Sequence, residues 1–260
     1  MKYIDKNKNV VRGTAIIDQL LSDNWLDDTY TNIDYDNGLN NKRKPYRNDL
    51  INELLVNQAH LCCYCMVEIS LVDTTLEHII PHKVALEDFE SYLLAEELYN
   101  HVIHKKQFDK TTRLIPPDKY PHDIAYHNLI ASCDANAHCN HFRGNKYVKP
   151  FVFDRNIENK VEYDAGGNVH SEYEEDFVRL GLIKSKSPLK TIRIIWFNIA
   201  QQVNSLEEVK EATINDVIND LIEKIDDISI VENFTGNTPY RSQVMKYRYF
   251  FHYFKQIMPL

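Results

Sequence analysis

Two short cysteine pairs, far apart in the chain, constrain its fold more than any other feature: Cys62-Cys63-Tyr64-Cys65, and Cys133 with Cys139 after five intervening residues. Tetrahedral zinc takes four soft ligands, and two cysteine-bearing turns brought together supply them at about 2.3 Å each. Two turns that share one ion also bracket whatever lies between them. The first turn is a good knuckle, whereas the second must loop out. Cys63 is read as a bystander, because adjacent residues rarely point at one ion, and His138 is an alternative ligand in the second turn. Five cysteines, an odd number, suit a metal site in a reducing compartment better than a secreted disulfide framework.

The bracketed segment carries polar residues of a particular kind. Glu77-His78 follows Leu76 and precedes Ile79-Ile80-Pro81, so a short strand is expected to end at the dipeptide. Adjacent strand residues face opposite ways, but at a strand end both can reach one site. A carboxylate is a hard ligand for Mg²⁺, and a neutral imidazole can take a proton from water near neutral pH. Asn128, in Tyr126-His127-Asn128-Leu129-Ile130, reads either as a turn residue or as a side chain that pins a loop through the backbone. Asn140 directly follows the last cysteine and opens a short helix, where its side-chain oxygen can complete a metal shell. Arg143 and Lys146, three apart, are placed to meet phosphates.

Composition bounds the class. The chain has 260 residues, 43% of them hydrophobic, enough for one large domain or two small ones. No run approaches the roughly 20 apolar residues of a membrane span, and the polar start lacks the apolar centre of a signal peptide, so a cytoplasmic, non-membrane protein is expected. The net charge of −8 is poor footing for unaided binding of nucleic acid. Between Asn100 and Pro150, however, eight Lys/Arg face four Asp, and six of the eleven histidines lie there, so the basic stretch coincides with the candidate site. The acidic remainder suggests that a partner supplies much of the grip on substrate.

Three regions follow. Residues 1–60 show a helical pattern around Ala15–Leu21, an Asp/Asn/Tyr-rich loop and a helix after Pro45 with Leu50, Ile51, Leu54 and Leu55 on one face. Residues 61–173 carry the motifs and end in an expected hairpin built from Phe151-Val152-Phe153, Val161–Tyr163, a turn at Gly166-Gly167 and a strand from Val169. Residues 174–260 are helical: one helix opens at Ser187-Pro188 and runs through Ile192, Ile195, Trp196 and Ile199, a second opens at Thr213, and a last one carries Tyr247, Phe250, Phe251 and Phe254. These helices either cap the core or dock a partner.

Taken together, Cys-x-x-Cys, Glu-His-Ile-x-Pro, His-Asn-Leu-x-x-x-Cys and Cys-Asn-x-x-Arg-Gly-Asn-Lys resemble the HNH endonucleases with a zinc-ribbon frame, in particular the PtuB-like HNH proteins of Septu-type and retron-associated anti-phage systems. The resemblance covers roughly Tyr46 to Asp154. It implies an α+β fold with a ββα-metal core. Cys62, Cys65, Cys133 and Cys139 would hold a structural zinc. Glu77 and Asn140 would bind a catalytic Mg²⁺ or Mn²⁺, His78 would be the general base and Asn128 the loop-fixing middle residue. His82 and His141 would be further ligands or phosphate contacts beside Arg143 and Lys146. Glu in the first position, where many relatives have Asp, and Asn in the third, where others have His, bear on metal preference. The implied partners are a nucleic-acid substrate, a PtuA-like ABC/SMC-type ATPase, and a reverse transcriptase with its RNA–DNA hybrid. The implied activity is phosphodiester hydrolysis, and the rival reading is a zinc-ribbon adaptor with an inert HNH site.

Overall fold

A computed structural model describes residues 1–24, 33–41, 43–108, 115–184, 188–203 and 240–258. Helix α1 (Val10–Asp23) buries Gly13, Ile17, Leu20 and Leu21, a stripe at helical spacing. Helix α2 (Tyr46–Asn57) starts directly after Pro45, whose fixed φ of −74° is already helical, and buries Leu50, Ile51, Leu54 and Leu55 against α1. Helix α1 is longer than the apolar pattern that marks it, and it ends at Asn24, whose Nδ2 donates to the Leu20 carbonyl at 2.8 Å.

The centre is a two-stranded ribbon. Strand β1 (Thr74–His78) ends at the Glu-His dipeptide and pairs antiparallel with a strand some fifty residues later, Leu129–Cys133. Between them lie helix α3 (Glu96–Tyr99) and the short parallel pair β2 (Val102–Ile103) and β3 (Tyr120–Pro121), which makes Leu129–Cys133 strand β4. Register runs from Thr74 opposite Cys133 to His78 opposite Leu129, and the Ile79 N–H extends the ladder to the Asn128 carbonyl at 3.0 Å. Helix α4 (Cys139–Arg143) follows β4 and packs on it. The order is strand, strand, helix.

An edge strand leaves unpaired N–H and C=O groups that must be met somehow. On β4 they are met by side chains and a turn. Gln58, at the end of α2, accepts from the Ala131 N–H and donates to the Ala131 carbonyl, both at 2.8 Å. The Cys63 N–H shares that carbonyl at 3.1 Å. The N-terminal segment seals the start of the strand: Lys6 is buried, its ammonium bonded to the Leu129 carbonyl and 3.9 Å from the centre of the Tyr126 ring.

Beyond α4 the expected hairpin forms in part. Strands β5 (Val161–Tyr163) and β6 (Val169–Ser171) pair antiparallel around Gly167, whose φ is +71°. Phe151–Phe153 is a 3₁₀ turn and not a strand: all three side chains are buried, so the period-two alternation of a half-buried strand is missing, and Pro150 precedes them. Short helices α5 (Ile157–Lys160) and α6 (Glu174–Arg179) lead to α7 (Pro188–Val203), α8 (Tyr240–Met245) and α9 (Tyr249–Ile257). The aromatic face of α9 is core. Phe251 lies against Trp196 and Phe254 against Phe197 of α7, at ring-centre distances of 5.9 and 5.4 Å, and Tyr163 of β5 meets Phe250 edge-on at 5.1 Å. One buried cluster takes in Ile17, Cys62, Leu129, Trp196 and Phe254, so all three sequence regions share a core. Ser187 and the helix expected from Thr213 lie outside the described residues. Among the described residues no helix is long and apolar enough to cross a membrane.

Gly13 is required by a close approach: a Cβ there would sit 2.2 Å from Cδ2 of Tyr126, whose ring lies directly on the helix. Gly13→Ala gains at most about 1 kcal/mol of helix propensity and forces a ring out of a packed core, which costs typically 1–3 kcal/mol. The expected outcome in a thermal melt is a net loss of stability, a Tm several degrees below wild type.

Candidate functional site

The Cys62–Cys65 turn is closed by the Met66 N–H on the Cys62 carbonyl at 3.2 Å and the Cys62 N–H on the Val67 carbonyl at 2.8 Å, with Met66 at a φ of 62°. Cys133 is the last residue of β4 and Cys139 the first of α4, the latter at a φ of 61°. The ligand atoms of these four buried cysteines all lie within 4.8 Å of one another. The Cys62–Cys139 and Cys65–Cys133 sulfurs are 3.8 and 3.7 Å apart. Bonds of about 2.3 Å to a tetrahedral zinc put sulfurs roughly 3.8 Å apart, whereas a disulfide brings them to about 2.05 Å. The cluster is therefore built like a metal cage, with the spacing of structural zinc. Burial, before any other cause, pushes the Cys65 and Cys139 thiols up, so thiolates become stable there when a cation offsets their charge. Cys63 is buried outside the set, and His138 stands beside it with Nδ1 3.1 Å from the Cys139 sulfur. Cys65→Ser is expected to lose bound zinc, measured by elemental analysis, and to unfold the centre of the protein, seen as loss of the cooperative melt.

The dipeptide at the end of β1 has a different character. Glu77 and His78 are both buried, and they line one cavity of about 200 Å³ together with Tyr35, His82, Asn140 and Arg143. Glu77 Oε1 accepts from the Tyr64 hydroxyl at 3.0 Å and from the Arg143 guanidinium in a short ion pair. Burial works against the charge on Arg143, but the Glu77 carboxylate more than offsets it and raises the pKa of the guanidinium. His78 Nε2 lies 2.9 Å from the Asp123 carbonyl oxygen. A carbonyl only accepts, so Nε2 carries the proton and Nδ1 the lone pair. Asn140 is anchored through Nδ2, which donates to the Thr75 hydroxyl at 3.2 Å and towards the Leu76 carbonyl at 3.5 Å. Each side chain thus commits one polar atom to the protein. The other polar atom of each, Glu77 Oε2, His78 Nδ1 and Asn140 Oδ1, is held by no protein group among the described residues and is not a buried orphan, so it is open to water in the cavity that all three residues line. Two oxygens and an imidazole nitrogen form a donor set that suits a hard divalent cation and a base.

Asn128 is fully buried and its amide is saturated: Oδ1 accepts from the Ile80 N–H at 2.7 Å, and Nδ2 donates to the Ile80 carbonyl at 2.9 Å and the His122 carbonyl at 2.6 Å. It fixes the loop that leaves β1 and the segment that carries Asp123, hence both sides of His78. The imidazole is packed edge-on to Tyr35 at 4.4 Å and near His82 at 5.3 Å.

The expected phosphate contacts separate. Arg143 is buried, and besides Glu77 its guanidinium donates to the His78 carbonyl at 2.5 Å and the Ile79 carbonyl at 2.7 Å. Its job is to tie α4 to the end of β1, which commits all of its N–H donors but one on Nη2 and leaves little for a phosphate. His141 is exposed and bonded to the Asp134 carboxylate, and it does not line the cavity. Lys146 is exposed with its ammonium over the Phe142 ring, while His82 stays at the cavity, half-buried. Sequence reasoning missed Tyr64, Tyr35 and Asp123. Only Tyr64 carried a signal, its place inside the knuckle. A larger cavity of about 830 Å³ beside α9 has mixed charges, and its Lys246 already pairs with Asp73 at 2.9 Å.

Comparison with family models, with curated proteins and with solved structures gives no match.

His78, His122 and His127 are buried, and burial is the largest cause that lowers each of their pKa values to about 3. In the unfolded chain a histidine titrates at about 6.5. Between these values the unfolded state binds more protons, so stability rises with pH and is lost on acidification. The expected loss between pH 7 and pH 5 is roughly 2 kcal/mol per histidine, checked by urea denaturation at the two pH values.

Proposed function

We propose that this chain is a metal-dependent nuclease of the HNH type, a ββα-metal phosphodiesterase framed by a zinc-bearing cysteine cluster. The observation that carries the reading is the common cavity of Glu77, His78 and Asn140, in which each side chain has one atom held by the protein and one acceptor left over. The strand–strand–helix order that delivers these three residues is the order the resemblance implies.

On this reading His78 Nδ1 takes the proton from the water that attacks phosphorus, and the Asp123 carbonyl holds the imidazole in the tautomer required. Glu77 Oε2 and Asn140 Oδ1 would hold Mg²⁺ or Mn²⁺, which would offset charge building on the phosphate and on the leaving 3′ oxygen. The P–O3′ bond breaks, giving a 5′-phosphate and a 3′-hydroxyl. Asn128 keeps the loop under His78 from moving during these steps. The net charge of −8 and the burial of Arg143 weaken the grip that the chain by itself offers a polyanion. This favours a substrate delivered by a partner, for which the resemblance suggests a PtuA-like ATPase or a reverse transcriptase with its RNA–DNA hybrid, in anti-phage defence.

A second reading, an adaptor with an inert site, is favoured by one observation: Arg143 already occupies Glu77 Oε1. Cleavage of plasmid DNA, single-stranded DNA and total RNA in Mg²⁺ or Mn²⁺ separates the two. His78→Ala is expected to lower the rate by roughly 10²–10⁴ while the fold and its zinc content stay intact. Equal rates for the two proteins would remove His78 from the chemistry, and no cleavage by either, with the ATPase added, would favour the adaptor.

A further inference from the structure

Tyr64 stands between Cys63 and Cys65, inside the turn that supplies two of the four clustered sulfurs. It is almost fully buried, and its ring packs near Phe151. Its hydroxyl donates to Glu77 Oε1 at 3.0 Å, and Arg143 reaches the same hydroxyl at 3.5 Å. The cysteine cluster and the candidate catalytic carboxylate are therefore joined through one residue. The geometry of the pair next to it gives that junction a purpose. Arg and carboxylate prefer to meet fork to fork, with two parallel N–H···O bonds that use both carboxylate oxygens. Here the guanidinium touches only Oε1, and three further donors go to the His78, Ile79 and Lys146 carbonyls, which leaves one N–H on Nη2 for a second carboxylate oxygen.

We propose that Tyr64 is a positioning residue that keeps the Glu77–Arg143 pair one-legged, so that Oε2 stays turned to the cavity for a divalent cation, and that the cysteine cluster sets this position. By donating to Oε1, the hydroxyl fixes the rotation of the carboxylate about its last bond. With the hydroxyl gone, the carboxylate can rotate to offer both oxygens to Arg143 and withdraw Oε2. The cysteine cluster enters because Cys62 and Cys65 fix the turn on both sides of Tyr64, so the sulfur cage and the carboxylate site are mechanically continuous. The inference rests on the reading of Glu77 as a cation ligand.

The test is Mn²⁺ binding, by calorimetry and by the electron paramagnetic resonance of free Mn²⁺, on the full chain with its zinc content measured in every sample. Glu77→Gln should abolish binding. Tyr64→Phe should weaken it by roughly 10- to 100-fold, the usual effect of removing a partner that orients a ligand, with zinc content and Tm unchanged. Arg143→Lys cannot form a fork, so where its zinc content and Tm match wild type it should bind Mn²⁺ at least as tightly, and adding Tyr64→Phe to it should cost nothing further. No Mn²⁺ binding by wild type, or equal binding by Glu77→Gln, would overturn the reading of Glu77 and the inference with it. Binding lost in Glu77→Gln but unchanged in Tyr64→Phe would overturn the role of Tyr64 alone. Were Tyr64→Phe not to fold, weaker binding by an Arg143→Lys protein of wild-type zinc content and Tm would overturn it, and binding at or above wild type would support it.

Discussion

Four sulfurs within reach of one ion tie together three pieces of chain that sequence keeps apart: the 62–65 turn, the end of β4 and the start of α4. The rest of the centre hangs on that junction. β4 is a single five-residue strand paired on one edge only, too little to hold a place in a protein on its own. Anchored at Cys133, it becomes a fixed rail. Its partner β1 is then set in register, and the register decides that Glu77 and His78 fall at the open end of the ribbon. Cys139 fixes the start of α4 at the same point, which brings Asn140 to β1 through Thr75 and Leu76. A short helix with few contacts of its own thus acquires a defined direction.

The second element of order is electrostatic and has a cost. Glu77 and Arg143 are both buried, and taking two charges out of water is repaid only where further hydrogen bonds satisfy what the pair leaves over. Here they do: the guanidinium also meets three backbone carbonyls and the carboxylate also takes the Tyr64 hydroxyl. Those carbonyls belong to residues 78, 79 and 146, so the pair stitches β1 to α4 at the end opposite the cysteines. Sulfur cage and ion pair clamp the same ribbon and helix from two sides, and the cavity lies between the clamps and Tyr35.

What the sequence makes legible follows from the range of the forces involved. Helices α1, α2, α7 and α9 are amphipathic, so their buried faces repeat at helical spacing, and Leu50, Ile51, Leu54 and Leu55 or Trp196 and Ile199 can be read directly. The cysteine pairs are legible because metal chemistry demands that residue type at short spacing. Asn128 could be suspected of pinning a loop, but its partners Ile80 and His122 lie on segments that no local pattern connects to it. Arg143 illustrates the limit. Three residues from Lys146 and next to Gly144, it looks like part of a solvated basic face, and only the closing of 66 residues of chain onto Glu77 turns it inward. Phe151–Phe153 fails for the opposite reason: local β propensity is high there, but burial of all three side chains favours a compact turn.

The polar atoms of the candidate site are divided differently from those of Asn128. In Asn128 every hydrogen-bonding atom of the amide is used, as expected for a side chain whose task is structural. In Glu77, His78 and Asn140 one atom of each is used, and the other has no partner among the described residues. Leaving an acceptor without a partner costs stability unless water or a ligand serves it. The three acceptors of this cavity are open to water, whereas the buried atoms left without a partner, among them His122 Nε2 and both His127 nitrogens, lie outside it. The committed atoms are what make the uncommitted ones useful: an imidazole held by Asp123, a carboxylate held by Tyr64 and Arg143 and an amide held by Thr75 cannot swing to find other partners. Whatever enters the cavity meets acceptors whose directions were fixed on folding, so on the proposed reading their electrostatic contribution would need no reorganisation.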